Sequence, residues 1–515
     1  MRRIFSRFRW LYLAPAFAMI ALLSWALASP LGASPDDDFH LVSIWCANTD
    51  HSDVCEPGST DSTRLVEKAL LNAPCYARDA TQSAACQLGM FEKTTLVESD
   101  RGNFVGAYPP VFYSVMNLFA GNDLQASALL MRAVNALLLV GLTAAIYLLL
   151  PARRRPMLVW SWLISLVPLG LFLVTSNNPS SWAIIGVGSA WVALLGYFET
   201  VGRRRIGLGI LFGLSVIMAA GARADAAIYV ILGIAAVLLL TWQRSRSFLL
   251  RAILPVVFAV VAALFVLTSN QAVAGVDGFS GSTPVDVATG AVASVAAAAP
   301  SGGGAAEMIG LLFSNILNTP SLWAGVFGHW SLGWFDTPMP AIVAFGGVAV
   351  FVAVAFTGIR ALSWRKALVT AGAALALWAI PVITLTRGGH TVGVEVQPRY
   401  LLPLIVMLGG FAILAVGPRL LRFSLAQRIL LAGTLIGTYA VSLFFNLRRY
   451  VTGDGVNGGN LDDAIEWWWN TAVSPMGVLV IGSLAWAALV LILVREITPR
   501  PVAVEMPLEL RRSAA

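Results

Sequence analysis

Charge is scarce in this chain. Only 12% of its 515 residues are Asp, Glu, Lys or Arg, against about 25% in soluble domains, so a water-soluble globule does not account for the composition. Several motifs are absent as well: there is no phosphate-cradling Gly-x-x-x-x-Gly-Lys loop, no His-Glu-x-x-His helix, no Gly-x-Ser-x-Gly turn and no heptad zipper. ATP-driven transport and zinc proteolysis therefore have no support. Cysteine is limited to four residues, with no Cys-x-x-Cys pair to suggest zinc. No internal repeat is detectable, which weighs against a transporter assembled from inverted repeats.

What fills the sequence is apolar: 58% of residues are hydrophobic. They fall in runs of about 17 to 25, the length a helix needs to cross roughly 30 Å of hydrocarbon at about 1.5 Å per residue. The runs predict an all-α polytopic membrane protein of about twelve spans, at 10–29, 126–150, 157–175, 181–199, 206–222, 226–242, 250–268, 339–359, 367–384, 400–417, 429–446 and 475–494. On this reading the chain divides into residues 1–29 (N-terminal end and first span), 30–125 (first outer segment), 126–268 (spans two to seven), 269–338 (second outer segment), 339–494 (spans eight to twelve) and a tail at 495–515.

The positive charge is distributed unevenly. Of 34 Lys and Arg residues, 23 fall at the two ends and after the even-numbered spans, whereas that face carries only 4 of the 27 Asp and Glu residues. By the positive-inside rule it is cytoplasmic, with both termini there. The basic balance is thus an orientation signal, and no soluble basic domain exists to bind nucleic acid. The N-terminal run could be a cleavable signal peptide ending near Ala26-Leu27-Ala28, but its length favours an uncleaved anchor.

Cys46, Cys55, Cys75 and Cys86 all lie in the first outer segment. Thiols confined to an oxidising face read as disulfides, and the pairing is left open. Within that segment Thr63 to Asn72 reads as an amphipathic helix, with Leu65, Ala69 and Asn72 on one side. The second outer segment opens with low-complexity Gly, Ala, Ser and Val, then turns apolar and aromatic from Met308 to Trp334, like an interfacial or re-entrant helix. The third carries Glu466-Trp467-Trp468-Trp469, whose indoles suit the headgroup level.

Chemistry is best carried by Ser34-Pro35-Asp36-Asp37-Asp38-Phe39-His40, a few residues past the first span. Adjacent carboxylates repel, so at least one should titrate high unless a cation sits nearby, and a general base is made that way. A solvated acidic loop is the plain alternative. Arginines at outer span ends come next. Arg223, in Arg223-Ala224-Asp225, sits at a very short junction, and Arg399 opens span ten behind Arg387 and His390. A guanidinium fork suits phosphate oxygens, although snorkelling to headgroups is the ordinary role of such residues. Arg132 and Asn135 share a face of span two, so Arg132 should point into the bundle, toward Asp225 or Asp336. Weaker signals are Tyr108-Pro109-Pro110-Val111-Phe112-Tyr113, Ser176-Asn177-Asn178-Pro179-Ser180, and the stretch from His329 to Pro338 with Trp330, Trp334, Phe335 and Asp336. Aromatic rings beside a carboxylate can form a sugar shelf, and they also anchor at interfaces.

A carboxylate pair after the first span, a long first outer loop, Tyr-Pro-Pro before span two and outer arginines resemble the C-type glycosyltransferase superfamily. More narrowly, Pro35-Asp36-Asp37-x-x-His40, Tyr108-Pro109-Pro110, Asn178-Pro179-Ser180, Arg223-Ala224-Asp225, Gly333-Trp334-Phe335-Asp336-Thr337-Pro338 and Gln397-Pro398-Arg399-Tyr400 are similar to a bacterial membrane-protein family grouped with it, domain of unknown function 2142. Asp37 stands where that family usually has Glu, which leaves the choice between Asp36 and Asp37 open. The resemblance implies a bundle like those transferases and a sugar carried on polyprenyl phosphate, moved on the outer face to an envelope glycan, glycolipid or protein.

It implies Asp36 or Asp37 as base with His40 orienting, and Arg399 and Arg223 on the donor phosphate with Arg387 and His390 in reserve. Asp225, Tyr108, His329, Trp334, Asp336 and Arg132 would hold substrate or support the site. No cofactor is required on this reading, although a divalent ion, Mg or Mn, could bridge the carboxylates and the phosphate. The competing expectations are a transporter or flippase for a lipid-linked saccharide, and a non-catalytic scaffold. Transport would place polar groups at mid-membrane depth in several spans, and here Arg132 is the principal one.

Overall fold

The computed structural model describes residues 10–48, 54–92, 95–269, 305–360, 362–414 and 423–497. Arg2, Arg3, Arg7, Arg9, Arg500, Arg511 and Arg512, together with Arg419, Arg422 and the low-complexity residues 270–304, lie outside them.

After a turn at Trp10–Leu13, α1 runs over Ala14–Leu27. The outer segment holds α2 (Asp37–Trp45), strands β1 (Cys55–Pro57), β2 (Arg64–Glu67) and β3 (Leu96–Ser99), and short helices α3 (Lys68–Asn72) and α4 (Val111–Asn117). Then follow α5 (Leu124–Leu149), α6 (Arg155–Leu163), α7 (Leu169–Val174), α8 (Ser180–Glu199), α9 (Gly202–Ala222), α10 (Ala224–Thr241) and α11 (Arg246–Thr268). After the low-complexity stretch come α12 (Ala305–Val326), α13 (Ala341–Ile359), α14 (Trp364–Gly388), α15 (Pro398–Ala412), α16 (Leu425–Val451) and α17 (Pro475–Ile497).

Among the described residues, ten helices are long and apolar enough to cross a membrane. The other two predicted spans are shorter. Residues 157–175 do not form one helix: α6 stops at Leu163, and Pro168, which has no N–H for a helix ladder, stands just before α7. The tenth becomes the 15-residue α15. Both are buried at almost every residue, so short helices here are covered by protein rather than lipid. At the centre is α8, buried from Ser180 to Gly196 and packed on α5, α7, α9, α10 and α15.

The outer segment differs from its expected form. Thr63 to Asn72 is half strand: β2 pairs antiparallel with β1 and β3, bringing Val66 opposite Cys55 and Val97, and only Lys68 to Asn72 are helical. Leu65 and Val66 suit a pleated sheet whose partners are distant in sequence, and no local periodicity reports such partners. The disulfides join Cys46 to Cys55 and Cys75 to Cys86. The tryptophan run is also more enclosed than expected, with Trp467 and Trp469 buried and the Trp469 indole donating to the Leu27 carbonyl at 2.8 Å.

Candidate functional site

Between α1 and α2 the chain crosses the protein interior as an irregular strap, residues 28–35, all buried. Backbone carbonyls outside helix or sheet need donors when buried, and here side chains from six distant places provide them. Arg132 Nη1 donates to the carbonyls of Ala26 (2.9 Å) and Ser29 (2.6 Å), and its Nη2 to Pro30 (2.7 Å). Asn446 donates to Ala28, Tyr76 and Gln87 to Leu31, Trp334 to Gly32, and Asn178 with Arg399 to Pro35. Gly32 is required: its φ is +79°, and a Cβ there would lie 2.7 Å from the Ala73 carbonyl carbon.

The strap delivers Asp36 to the N-cap of α2 in a left-handed conformation, φ 63°, an unfavourable state for a non-glycine residue that its surroundings impose. Arg399 Nη2 donates to Asp36 Oδ2, and Arg101, which chelates Asp38 with bonds of 2.8 and 3.0 Å, stands 3.8 Å from Asp36 Oδ1. Burial pushes the Asp36 carboxyl up, but Arg399 and the other neighbouring charges outweigh it and hold the group below its ordinary value.

Asp37 differs. It is fully buried, accepts one bond from the Ser34 N–H at 3.1 Å, and its Oδ1 has no partner among the described residues. Burial raises it to about 8, with Arg132 opposing and Asp38 and Asp36 adding to the rise. The expectation that one carboxyl of the triplet titrates high applies to Asp37, and desolvation contributes more than repulsion.

Around Asp36 the buried polar groups are only partly satisfied. His40 Nδ1 and the Tyr113 hydroxyl lie 2.9 Å apart, while Nε2 has no partner among the described residues. Desolvation, with the cations of Arg399, Arg223 and Arg101 nearby, lowers His40 well below the imidazole range, so it is neutral at pH 7. Arg223 pairs with Asp225 at 2.9 Å and leaves Nη1 unpartnered; Arg399 leaves Nε unpartnered. Both guanidiniums pack on the Tyr400 ring, 4.7 and 5.0 Å from its centroid, and Arg223 also lies over Tyr108, 5.6 Å away. Tyr108 in turn meets the His40 ring edge-on.

Beside Arg399 a narrow cavity of about 20 Å³ is lined by Pro35, Gln397, Trp330, Phe335 and the α7 residues Leu169, Phe172 and Leu173. Phe335 stands at its wall with φ 63° and is 46% exposed.

Asp36, His40, Arg223, Asp225, Tyr108 and Arg399 are therefore brought together. The remaining expectations separate from them. Arg132 does not reach Asp225 or Asp336; its Nε bonds Asn177 and its other donors hold the strap. Asp336 pairs with buried Arg449 at 2.8 Å and accepts the Arg78 N–H, which clamps the outer segment onto α16. Trp334 is a strap donor. His390 pairs with Glu395 at 2.9 Å, and Arg387 and His329 are exposed, so none of the three joins the cluster. Sequence reasoning missed Arg101 and Arg449, whereas Tyr113 closed the weaker signal that begins at Tyr108. Arg101 was discoverable as the one cation in Ser99-Asp100-Arg101-Gly102; Arg449 carried no signal.

A divalent ion would find a poor donor set here: Arg399 engages Asp36 Oδ2, Arg101 engages Asp38, and no group of three or more His, Cys, Asp or Glu gathers among the described residues.

The fold and the cluster define a multispanning helical membrane protein with a buried site of carboxylate and guanidinium groups at one face of the bundle. Its sequence matches the DUF2142 family, described as predicted membrane proteins, over residues 19–408. The chain belongs to that family. No curated protein and no solved structure matches it.

Proposed function

We propose that this protein is a C-type glycosyltransferase that moves a sugar from a polyprenyl-phosphate donor to a hydroxyl of an envelope glycan, glycolipid or protein. The observation that carries the reading is the buried Asp36 carboxylate held between Arg399 and Arg101, with Arg223, Arg399 and His40 each keeping an unused polar atom in the same cluster. Buried donors are normally satisfied, and two guanidiniums around one aromatic ring suit an incoming phosphate. The excess of Lys and Arg expected on the opposite face supports the reading that this site faces the extracytoplasmic side of a bacterial plasma membrane, with both termini in the cytoplasm.

In the proposed reaction Asp36 takes the proton of the acceptor hydroxyl as its oxygen bonds to the anomeric carbon. The bond from that carbon to the phosphate oxygen breaks, and its electron pair stays on polyprenyl phosphate. Attack opposite the leaving group inverts the anomeric centre. Arg223 and Arg399 stabilise the charge growing on the phosphate. As the phosphate draws on Arg399, Asp36 loses part of its ion pair and becomes more basic, which couples donor binding to activation of the acceptor. Asp37 faces the Ser34 N–H and the Arg132 side of the strap, so Asp36 is the better base. Neutral His40 offers Nε2 to the acceptor hydroxyl.

The test is transfer by purified protein in lipid from a panel of polyprenyl-phosphate sugars to candidate acceptors. Loss of a general base costs about 10²- to 10⁴-fold, so Asp36→Asn should fall by that much with donor binding retained, whereas Arg223→Ala should weaken donor binding. Transfer by Asp36→Asn at the wild-type rate refutes the assignment. Lipid scrambling without transfer would favour a flippase.

A further inference from the structure

A second charged site lies at the opposite end of the bundle. The 18 residues of α10 begin beside Arg223 and end at Thr241, about 27 Å away at about 1.5 Å per residue. There the ends of α8 and α10 meet the starts of α11 and α14 around an open cavity of about 370 Å³. Its cations are Arg153, Arg251 and Arg365, and Gln243, Ser245 and Ser247 add polar groups from the turn into α11.

The only carboxylate in this lining, Glu199, is already engaged. Arg154 binds both its oxygens, and Arg153 stands 3.3 Å from one of them. Arg365 donates to the Leu240 carbonyl at the end of α10 and stacks on Trp364. Arg251 is half-buried, lines the cavity and has no hydrogen bond or ion pair among the described residues. Holding an unpaired guanidinium beside two others is unfavourable unless an anion neutralises them.

The surroundings indicate where that anion comes from. The helix α11 is buried only at Phe248, Pro255 and Ala262, and exposes Leu249, Leu250, Ile253, Val256 and Val260. This apolar face runs directly from the cavity into the hydrocarbon. Trp242 and Trp364 flank the cavity and are 47% and 66% exposed, as indoles at headgroup level are. A soluble phosphate would have no use for the apolar track, whereas a phospholipid fills both parts: acyl chains on α11, phosphate among the arginines.

We infer that this cavity binds the phosphate of an anionic phospholipid from the leaflet opposite Asp36, with Arg251 as its main contact and Arg153 and Arg365 assisting. The site is separate from the proposed transfer site and stands without it.

Native mass spectrometry of the full-length protein released from micelles, titrated with phosphatidylglycerol or phosphatidylcholine, tests this. Phosphatidylglycerol should be retained preferentially, and Arg251→Gln should retain it about tenfold less, the loss of one charge-assisted hydrogen bond. Arg251→Gln breaks no hydrogen bond or ion pair among the described residues, so its fold should survive; Arg387→Gln, at an exposed arginine at the far end of α14, serves as the control and should retain lipid normally. Equal retention of the two lipids, or retention unchanged in Arg251→Gln, overturns the inference. Equal loss in Arg387→Gln would move the lipid to the other face and overturns it too. If excess inorganic phosphate displaces the bound lipid completely, the occupant is a soluble anion and the lipid assignment fails.

Discussion

Replacing Arg132 by methionine keeps an unbranched apolar stem and removes the three hydrogen bonds that Arg132 gives to the carbonyls of Ala26, Ser29 and Pro30. The carbonyls of Ala26, Ser29 and Pro30 lose their partners at 2.6 to 2.9 Å, and the Asn177 side-chain oxygen loses its own. An abandoned buried acceptor costs about 1–3 kcal/mol, so three carbonyls give roughly 3–9 kcal/mol before relaxation. Against this, the mutant no longer buries a guanidinium, and water can enter the loosened strap. Removing one partner of a buried charged group costs about 3–5 kcal/mol in practice, and that is the range expected here. A destabilisation of 1 kcal/mol shifts the midpoint by about 2–4 °C in domains of 150–250 residues and by less in larger ones. A fall of about 5–10 °C in the thermal midpoint of protein in micelles is therefore expected, read as monodisperse protein surviving heating. Arg132→Lys should fall between, because an ammonium cannot span carbonyls that a planar fork reaches together. A midpoint within about 1 °C of wild type for Arg132→Met would refute the claim that these bonds hold the strap.

Asp37 titrates at about 8 in the fold against 3.8 ordinarily, so between those values the native state binds a proton that the unfolded chain has lost, and stability falls as pH rises from about 4 to 8. Asp37→Asn should flatten that slope and be at least as stable as wild type at pH 7.5; an unchanged slope in thermal melts across the window would show that Asp37 is not the group. Gly32→Ala would press a Cβ onto Ala73 in a left-handed conformation, so its yield of monodisperse membrane protein should collapse, and normal yield would contradict the close approach. The Cys75–Cys86 and Cys46–Cys55 bridges close loops of 11 and 9 residues, and removing either should cost about 2–3 kcal/mol. Non-reducing peptide mapping should recover only these two pairs.

Some of the site was readable from residues alone, and the limit is instructive. Asp36, Arg223 and Arg399 could be named because an acidic triplet just past a span and arginines at span ends are local facts of the chain. Their relation could not, because Arg399 meets Asp36 across a sequence separation of 363. For the same reason Arg132 was expected to seek Asp225 or Asp336, when it seeks carbonyls, which every residue possesses and no sequence pattern marks. Arg449 was invisible: an arginine in the last turn of a helix reads as a surface charge until Asp336 and the Tyr76 carbonyl are found beside it. The break in the third predicted span was signalled by Pro168, but an unbroken apolar run concealed it.

The sequence by itself determined that this chain lives in a bilayer, where its spans lie, which face gathers the basic charge and which segment carries the disulfides. These follow from composition summed over about twenty residues at a time, since the cost of placing charge in hydrocarbon is paid locally. Only the tertiary structure decided which aspartate faces the arginines, which arginine supports backbone instead, and where polar atoms are left without partners. Such pairings depend on desolvation and on distances of a few ångströms between remote residues, and they exist only once the helices have packed.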